Sequence, residues 1–236
     1  LNPEKWPFSV DQFPIGTALV GGAVRDGLMN RLQEKPDLDL VVPKNAIKLT
    51  ENLAKKLSTT FFVLDKERDM ARLVFKGWTI DFARQIGCNL EEDLLRRDFR
   101  LNAIALILGP YPKLIDPTGG IEDLRQKQLV AVREKNFIED PLRSLRGLRF
   151  LAELNFSLEP QTRTFINTYS KLLPKVAPER IQSELLRIVS VEGADESIKM
   201  LMEMGSLELW GNKDELDKRV FLDSKNQKAL NKNELS

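Results

Sequence analysis

Leu19-Val20-Gly21-Gly22-Ala23-Val24-Arg25-Asp26 and, one short interval later, Asp37-Leu38-Asp39-Leu40-Val41-Val42 decide how this chain reads. Residues 17–20 form a short apolar strand that runs into a glycine doublet, and 23–32 read as the helix beyond it. A strand, two glycines and a helix start leave bare backbone amides where an anion can approach. Arg25, about one turn into that helix, adds a charged fork suited to phosphate. Taken alone, the same pattern is also an ordinary strand-to-helix turn. In the second strand, 38–42, alternate side chains share a face. Asp37 and Asp39 therefore project together, while Leu38 and Leu40 point into a core. Two such carboxylates repel each other unless a cation lies between them. Their hard oxygens suit Mg²⁺, an ion that keeps waters and bridges substrate phosphates. An isolated Asp-x-Asp is more often a solvated pair at a strand edge. Joined to a phosphate cradle one helix earlier, it is what a nucleoside triphosphate requires.

Outward from this core the first half is mixed α/β. Residues 46–57 have helical spacing, and 60–64, 71–75 and 78–82 are rich in strand formers, with Lys76-Gly77 as a hairpin turn between the last two. Residues 102–108 form an apolar run that reads best as a buried helix. Pro110, Pro112, Pro117, Gly119 and Gly120 then punctuate the chain. Beyond them 140–154, 160–173, 178–189 and 194–204 carry apolar residues at helical spacing, with Pro141, Pro160 and Pro178 where helices could begin. Residues 211–236 are polar, rich in Lys and Asn, and read as a frayed tail. There is no internal repeat.

Composition removes whole classes of chemistry. The 236 residues contain no histidine, which excludes Ser-His-Asp and Cys-His catalysis and histidine zinc sites. A single cysteine, Cys88, excludes an internal disulfide framework and fits a reducing, cytoplasmic setting. Any metal must then be held by oxygen. No apolar run approaches the roughly 20 residues of a membrane span. The start at Leu1 is neither a signal nor a transit peptide and lacks an initiator Met, so the chain reads as a fragment. Net charge is +1. Between Arg125 and Val189, however, twelve basic residues stand against seven acidic ones, a modest local excess that favours phosphate-bearing partners.

Three further constellations carry charge. Asp81, between Ile80 and Phe82 at the end of a strand, is either a third metal ligand, a base for an attacking hydroxyl, or a solvent-facing strand acid. Arg96-Arg97-Asp98-Phe99 is a basic cluster able to hold phosphates, or a capped, solvated helix start. Asp140, Arg143, Arg146 and Arg149 recur every three residues, as a drifting stripe along one helix with Leu142, Leu145 and Leu148 beside it. An Asp with an Arg three residues on presents an acceptor and a donor fork. Cytosine and adenine match it with an exocyclic amine and a ring acceptor, whereas uracil and guanine leave the Asp unpaired.

These residues, in this order, resemble the signatures of the class II tRNA nucleotidyltransferase and bacterial poly(A) polymerase family. Leu19 to Asp26 with Asp37-Leu38-Asp39 resembles the first, and Glu91-Glu92-Asp93-Leu94-Leu95-Arg96-Arg97-Asp98-Phe99 with Asn102-Ala103 the second. Asp116-Pro117-Thr118-Gly119-Gly120-Ile121-Glu122-Asp123-Leu124 is similar to the third, Glu139-Asp140-Pro141-Leu142-Arg143 to the fourth, and Pro178-Glu179-Arg180-Ile181-Gln182-Ser183-Glu184-Leu185 to the fifth.

The resemblance implies an α+β fold: a nucleotidyltransferase-type head with a mixed sheet flanked by helices (1–125), an all-helical neck (126–210) and the polar tail (211–236). It implies template-independent addition of C or A from CTP or ATP to the 3′ end of tRNA, with Mg²⁺ in a two-metal site. Carried over, Asp37 and Asp39 hold the metals and Asp81 looks like a third carboxylate. Gly21, Gly22, Arg25, Arg96 and Arg97 meet the nucleotide, and Asp140 and Arg143 read its base with Arg146 and Arg149 nearby. Two features depart from the family pattern. Arg100 stands where the family has Thr, and only fourteen residues separate Asp81 from Arg96. Such shortening resembles the CC-adding subgroup. A poly(A) polymerase of the same family, or a catalytically silent nucleotide- or RNA-binding fragment, are the alternatives.

Overall fold

The structure, a computed structural model, describes residues 6–204. The tail expected over 211–236 lies outside them. The chain divides between Gln126 and Lys127 into two compact units.

The first unit is built on β1 (Ala18–Val20), α1 (Gly22–Leu28), β2 (Leu38–Val42), α2 (Ala46–Leu57), β3 (Phe61–Asp65), β4 (Met70–Phe75), β5 (Trp78–Arg84), α3 (Leu90–Leu94), β6 (Ala105–Ile107), β7 (Lys113–Ile115) and α4 (Gly120–Gln126). The strands form one sheet in the order β3-β4-β5-β2-β1-β6-β7, and the β2–β5 pairing is parallel while its other pairings are antiparallel. Alternation along the strands separates its two faces. Leu19, Leu38, Leu40, Val42, Leu73, Ile80 and Phe82 pack with Ala23 and Val24 of α1 and Ala46, Leu53 and Ala54 of α2 into the main core. Phe13 meets Phe82 edge-on at 5.7 Å and carries Phe8 and Trp6 behind it, which closes that core from the N-terminal side. Asp39, Asp81 and Arg72 lie on the other face. The amides that open α2 are met from the β3–β4 turn, where Asp69 accepts from Ala46 and Ile47 at 2.9 and 2.8 Å.

The apolar run 102–108 is not a helix. A short 3₁₀ turn, Arg100–Asn102, leads into β6, which pairs with β1 (Ala18↔Ile107, Val20↔Ala105) and with β7. Periodicity cannot tell a short buried strand from a helix turn, and here two neighbouring strands each offer a ladder. α4 packs on that 3₁₀ turn. Asp116 caps α4, its carboxylate accepting from Gly119, Gly120 and Ile121 N–H at 2.9 Å each. A Cβ at Gly120 would overlap the Arg100 carbonyl oxygen, so only glycine lets α4 approach so closely.

The second unit holds β8 (Gln128–Leu129), α5 (Glu134–Glu139), α6 (Arg143–Leu154), β9 (Ser157–Leu158), α7 (Pro160–Tyr169), α8 (Pro178–Val189) and α9 (Asp195–Glu203). It is not all-helical, because β8 and β9 form a two-stranded parallel pair. Pro160 and Pro178 occupy the first helical positions of α7 and α8. Pro141 does not begin a helix. Asp140 before it is extended, with φ −141°, as a residue preceding proline prefers, and α6 starts at Arg143. Buried Leu145, Leu148, Phe150 and Leu151 make α6 the centre of this unit, against α7, α8 and α9.

Gly120→Ala should lower the chemical-denaturation midpoint by an amount equivalent to about 1–3 kcal/mol, because a backbone carbonyl cannot rotate aside as a side chain would. Unchanged stability would show that α4 does not need this approach.

Candidate functional site

The sheet register aligns the charges. The two-residue turn Lys76-Gly77 (φ 49° and 82°) sets Phe75 opposite Trp78 and hence Arg72 opposite Asp81. Asp81 is in turn the register partner of Asp39 across the parallel β2–β5 pairing, and Asp39 of Val20, the residue before the glycine doublet. Register partners share a face, so Arg72, Asp81 and Asp39 form one row across three strands. Asp37, two residues upstream of Asp39 and just before β2, is exposed.

Asp81 lies in that row beside Asp39. Its two oxygens are taken by Arg72, with Nε to Oδ1 and Nη2 to Oδ2 both at 2.7 Å. The hydrogen bond to Asp81, and then the more distant Asp37 and Asp39, hold the Arg72 guanidinium above its usual pKa against the opposing effect of partial burial. Arg72 escaped the sequence reading, although the turn length was a signal that could have found it.

Gly21 has φ 71°, and a Cβ there would lie 3.0 Å from Asp39 Oδ2 and 3.7 Å from Arg97 Nη1. The chain thus passes bare backbone over one carboxylate and one cation. Arg97 is partly buried and lies with Nη2 3.4 Å from Asp93 Oδ2, while Arg96 is exposed. Asp93 also accepts from Ile86 N–H at 2.9 Å, which ties the β5–α3 connection to Arg97. Arg25, expected to offer its fork to phosphate, is buried. Its Nε and Nη2 meet Asp26 at 2.9 and 3.0 Å, and Nη1 donates to Asn102 Oδ1 at 3.0 Å. Asn102 donates to Asp98 at 3.1 Å, and Asp98 also accepts from Phe99 N–H. Arg25 therefore stays beside Gly22, its Nη2 3.7 Å from where a Cβ would stand, and links the first signature to the second.

In the second unit Asp140 lies ahead of α6 rather than on it. Its carbonyl accepts from Arg143 N–H at 3.1 Å, and its Oδ2 accepts from Arg180 of α8 at 3.1 Å. Arg143 and Arg146 are partly exposed. Arg149, expected near the nucleotide, is instead 5% exposed. Its Nη1 is 3.2 Å from Glu184 of α8, its Nε 3.4 Å from Glu153, and its guanidinium lies 4.6 Å from the Phe150 ring centroid. Burial lowers its pKa, and Glu184 opposes that shift. The stripe drifts around α6, and its third arginine has turned into the core.

The family model described as the poly A polymerase head domain matches residues 17–87 and 79–130, and the probable RNA and SrmB-binding site of polymerase A matches 155–210. A CC-adding tRNA nucleotidyltransferase of Synechocystis sp. is 42% identical over 207 residues, 88% of this chain and 50% of that protein. The chain belongs to the tRNA nucleotidyltransferase and poly(A) polymerase family. Within this family, an A-adding tRNA nucleotidyltransferase of Deinococcus radiodurans is 40% identical over 202 residues, 84% of this chain and 45% of its own. A solved tRNA-processing enzyme with CTP superposes with a TM-score of 0.71 at 32% identity, over 84% of this chain and 57% of that one. The chain thus spans about half the length of the curated relatives it matches. The head of this family is the first unit's mixed sheet flanked by helices.

Arg149→Ala should destabilise the helical unit by about 2–4 kcal/mol, because buried Glu184 is left with only the more distant Arg146, 3.9 Å away. Thermal melting measures this, and a melting curve identical to the unsubstituted chain would refute the structural role.

Proposed function

We propose that this chain carries out template-independent addition of C or A, from CTP or ATP, to the 3′ end of tRNA. The observation that carries this reading is Asp39 beside the bare Gly21 turn and Arg97, with the exposed Asp37 two residues before it. The nearby relatives named for CC and A addition to tRNA support the substrate class, and a tRNA substrate with a single cysteine fits the cytoplasm.

The donor set fits Mg²⁺. Among the described residues no cluster of three or more His, Cys, Asp or Glu is arranged to hold a metal. Two carboxylates are what an ion needs that retains waters and shares substrate phosphates. Asp37 and Asp39 would hold it, and bound there it would supply activation of the RNA 3′-hydroxyl and neutralisation of the departing pyrophosphate. Gly21 and Gly22 keep the backbone low enough for the triphosphate to approach. Arg97 adds positive charge beside Asp39, and Arg25 fixes the turn from below. In the second unit Asp140 and Arg143 would supply an acceptor and a fork for a base edge, with Arg180 donating to Asp140 and Arg146 on the same helix as Arg143.

CC addition is the favoured specificity. The β5–α3 connection is short and tied down, with Gln85 N–H on the Val42 carbonyl at 2.8 Å and Ile86 N–H on Asp93. A addition is the second reading, supported by the 40% identical A-adding relative.

Asp37→Ala or Asp39→Ala should cut nucleotide incorporation by about a thousandfold or more with the thermal melt unchanged; retained turnover would remove the metal role. Arg143→Ala should reduce the CTP-over-UTP preference by about 10- to 100-fold, and an unaltered ratio would show that another residue reads the base. Incubating tRNA transcripts ending before the CCA, or after CC, with each labelled nucleoside triphosphate separates the readings. CC addition predicts CTP use on the first and no ATP use on the second.

A further inference from the structure

We propose that Arg72 is a positioning residue that keeps Asp81 out of the divalent-metal site of Asp37 and Asp39; the inference rests on the metal reading given above. Asp81 and Asp39 are register partners on adjacent parallel strands, so their Cα atoms stand about 4.8 Å apart and their side chains share a face. At that spacing an unrestrained Asp81 carboxylate reaches an ion held by Asp39. A third carboxylate on the ion would take a position that water or substrate phosphate must fill.

The guanidinium of Arg72 prevents this by binding both Asp81 oxygens at 2.7 Å. The planar fork matches a carboxylate in a way a lysine ammonium cannot. The pair is partly solvated, with 43% of the Arg72 side chain and 21% of the Asp81 side chain exposed, so its direct contribution to folding is small. Its consequence is local: it presents a neutral unit beside two negative ligands. Removing either partner changes the charge next to the ion, and removing Arg72 also releases a ligand.

The test is Mn²⁺ binding to the full chain without nucleotide, followed by electron paramagnetic resonance, with a thermal melt of each variant to confirm folding. Arg72→Ala should tighten Mn²⁺ binding by about tenfold, because a third carboxylate joins the site. Asp81→Asn should weaken it several-fold, because the Arg72 charge then lies uncompensated beside the ion. The double variant should return to within about twofold of the unsubstituted chain, since it restores neutrality with no extra ligand. Equal weakening in Asp81→Asn and in the double variant would make Asp81 a metal ligand and overturn the proposal. Unchanged or weaker binding in Arg72→Ala overturns it too. If Asp37→Ala abolishes Mn²⁺ binding while Arg72→Ala leaves it unchanged, the proposal fails and the Asp37–Asp39 reading stands. Mn²⁺ binding untouched by Asp37→Ala overturns both.

Discussion

Strand register holds the candidate site together. β2 lies between β1 and β5, antiparallel to one and parallel to the other, and this single placement sets Asp39 between the residue that precedes the glycine doublet and Asp81. A slip of one residue would turn Asp39 into the core and Leu40 onto the open face. The core forbids it, because Leu38, Leu40 and Val42 fill one side of the sheet against α1 and α2. The apolar alternation that folds the sheet is thus also what aims the carboxylates.

Around that row the remaining signatures serve as supports. Asp116 caps α4, Gly120 lets α4 sit on the 3₁₀ turn at Arg100–Asn102, and Asn102 from that turn receives Arg25. Asp98 holds Asn102 in turn. Residues far apart in sequence therefore converge on the orientation of one strand-to-helix turn. The second unit follows the same logic: Glu184 and Arg149 join α8 to α6, and Arg180 of α8 reaches Asp140. A buried ion pair of this kind adds little net stability compared with apolar packing, yet breaking it is costly, so it fixes a helix in one position.

Much of this was legible beforehand. β2, α2 and α8 have the bounds that periodicity and proline placement predict. The misreadings have specific causes. Residues 102–108 are too short and too uniformly apolar to betray their period, and only the neighbouring ladders of β1 and β7 make them a strand. Spacing to Arg143 places Asp140 on the helix, whereas Pro141 holds it extended. Arg149 has the spacing of a surface stripe, and its inward turn depends on Glu184, thirty-five residues later. Arg72 meets Asp81 only through the hairpin register, a pairing that the spacing along one strand does not show. Local pattern shows which face a residue occupies; which neighbour meets it there is decided by tertiary pairing.

The most direct measurement is a crystal structure of the chain soaked with Mn²⁺, read by anomalous scattering. The expected result is a peak held by Asp37 and Asp39 near Gly21, with Asp81 still on Arg72. A peak bound by Asp81 and not by Asp37, or carboxylates that turn away from each other with no ion between them, would contradict it.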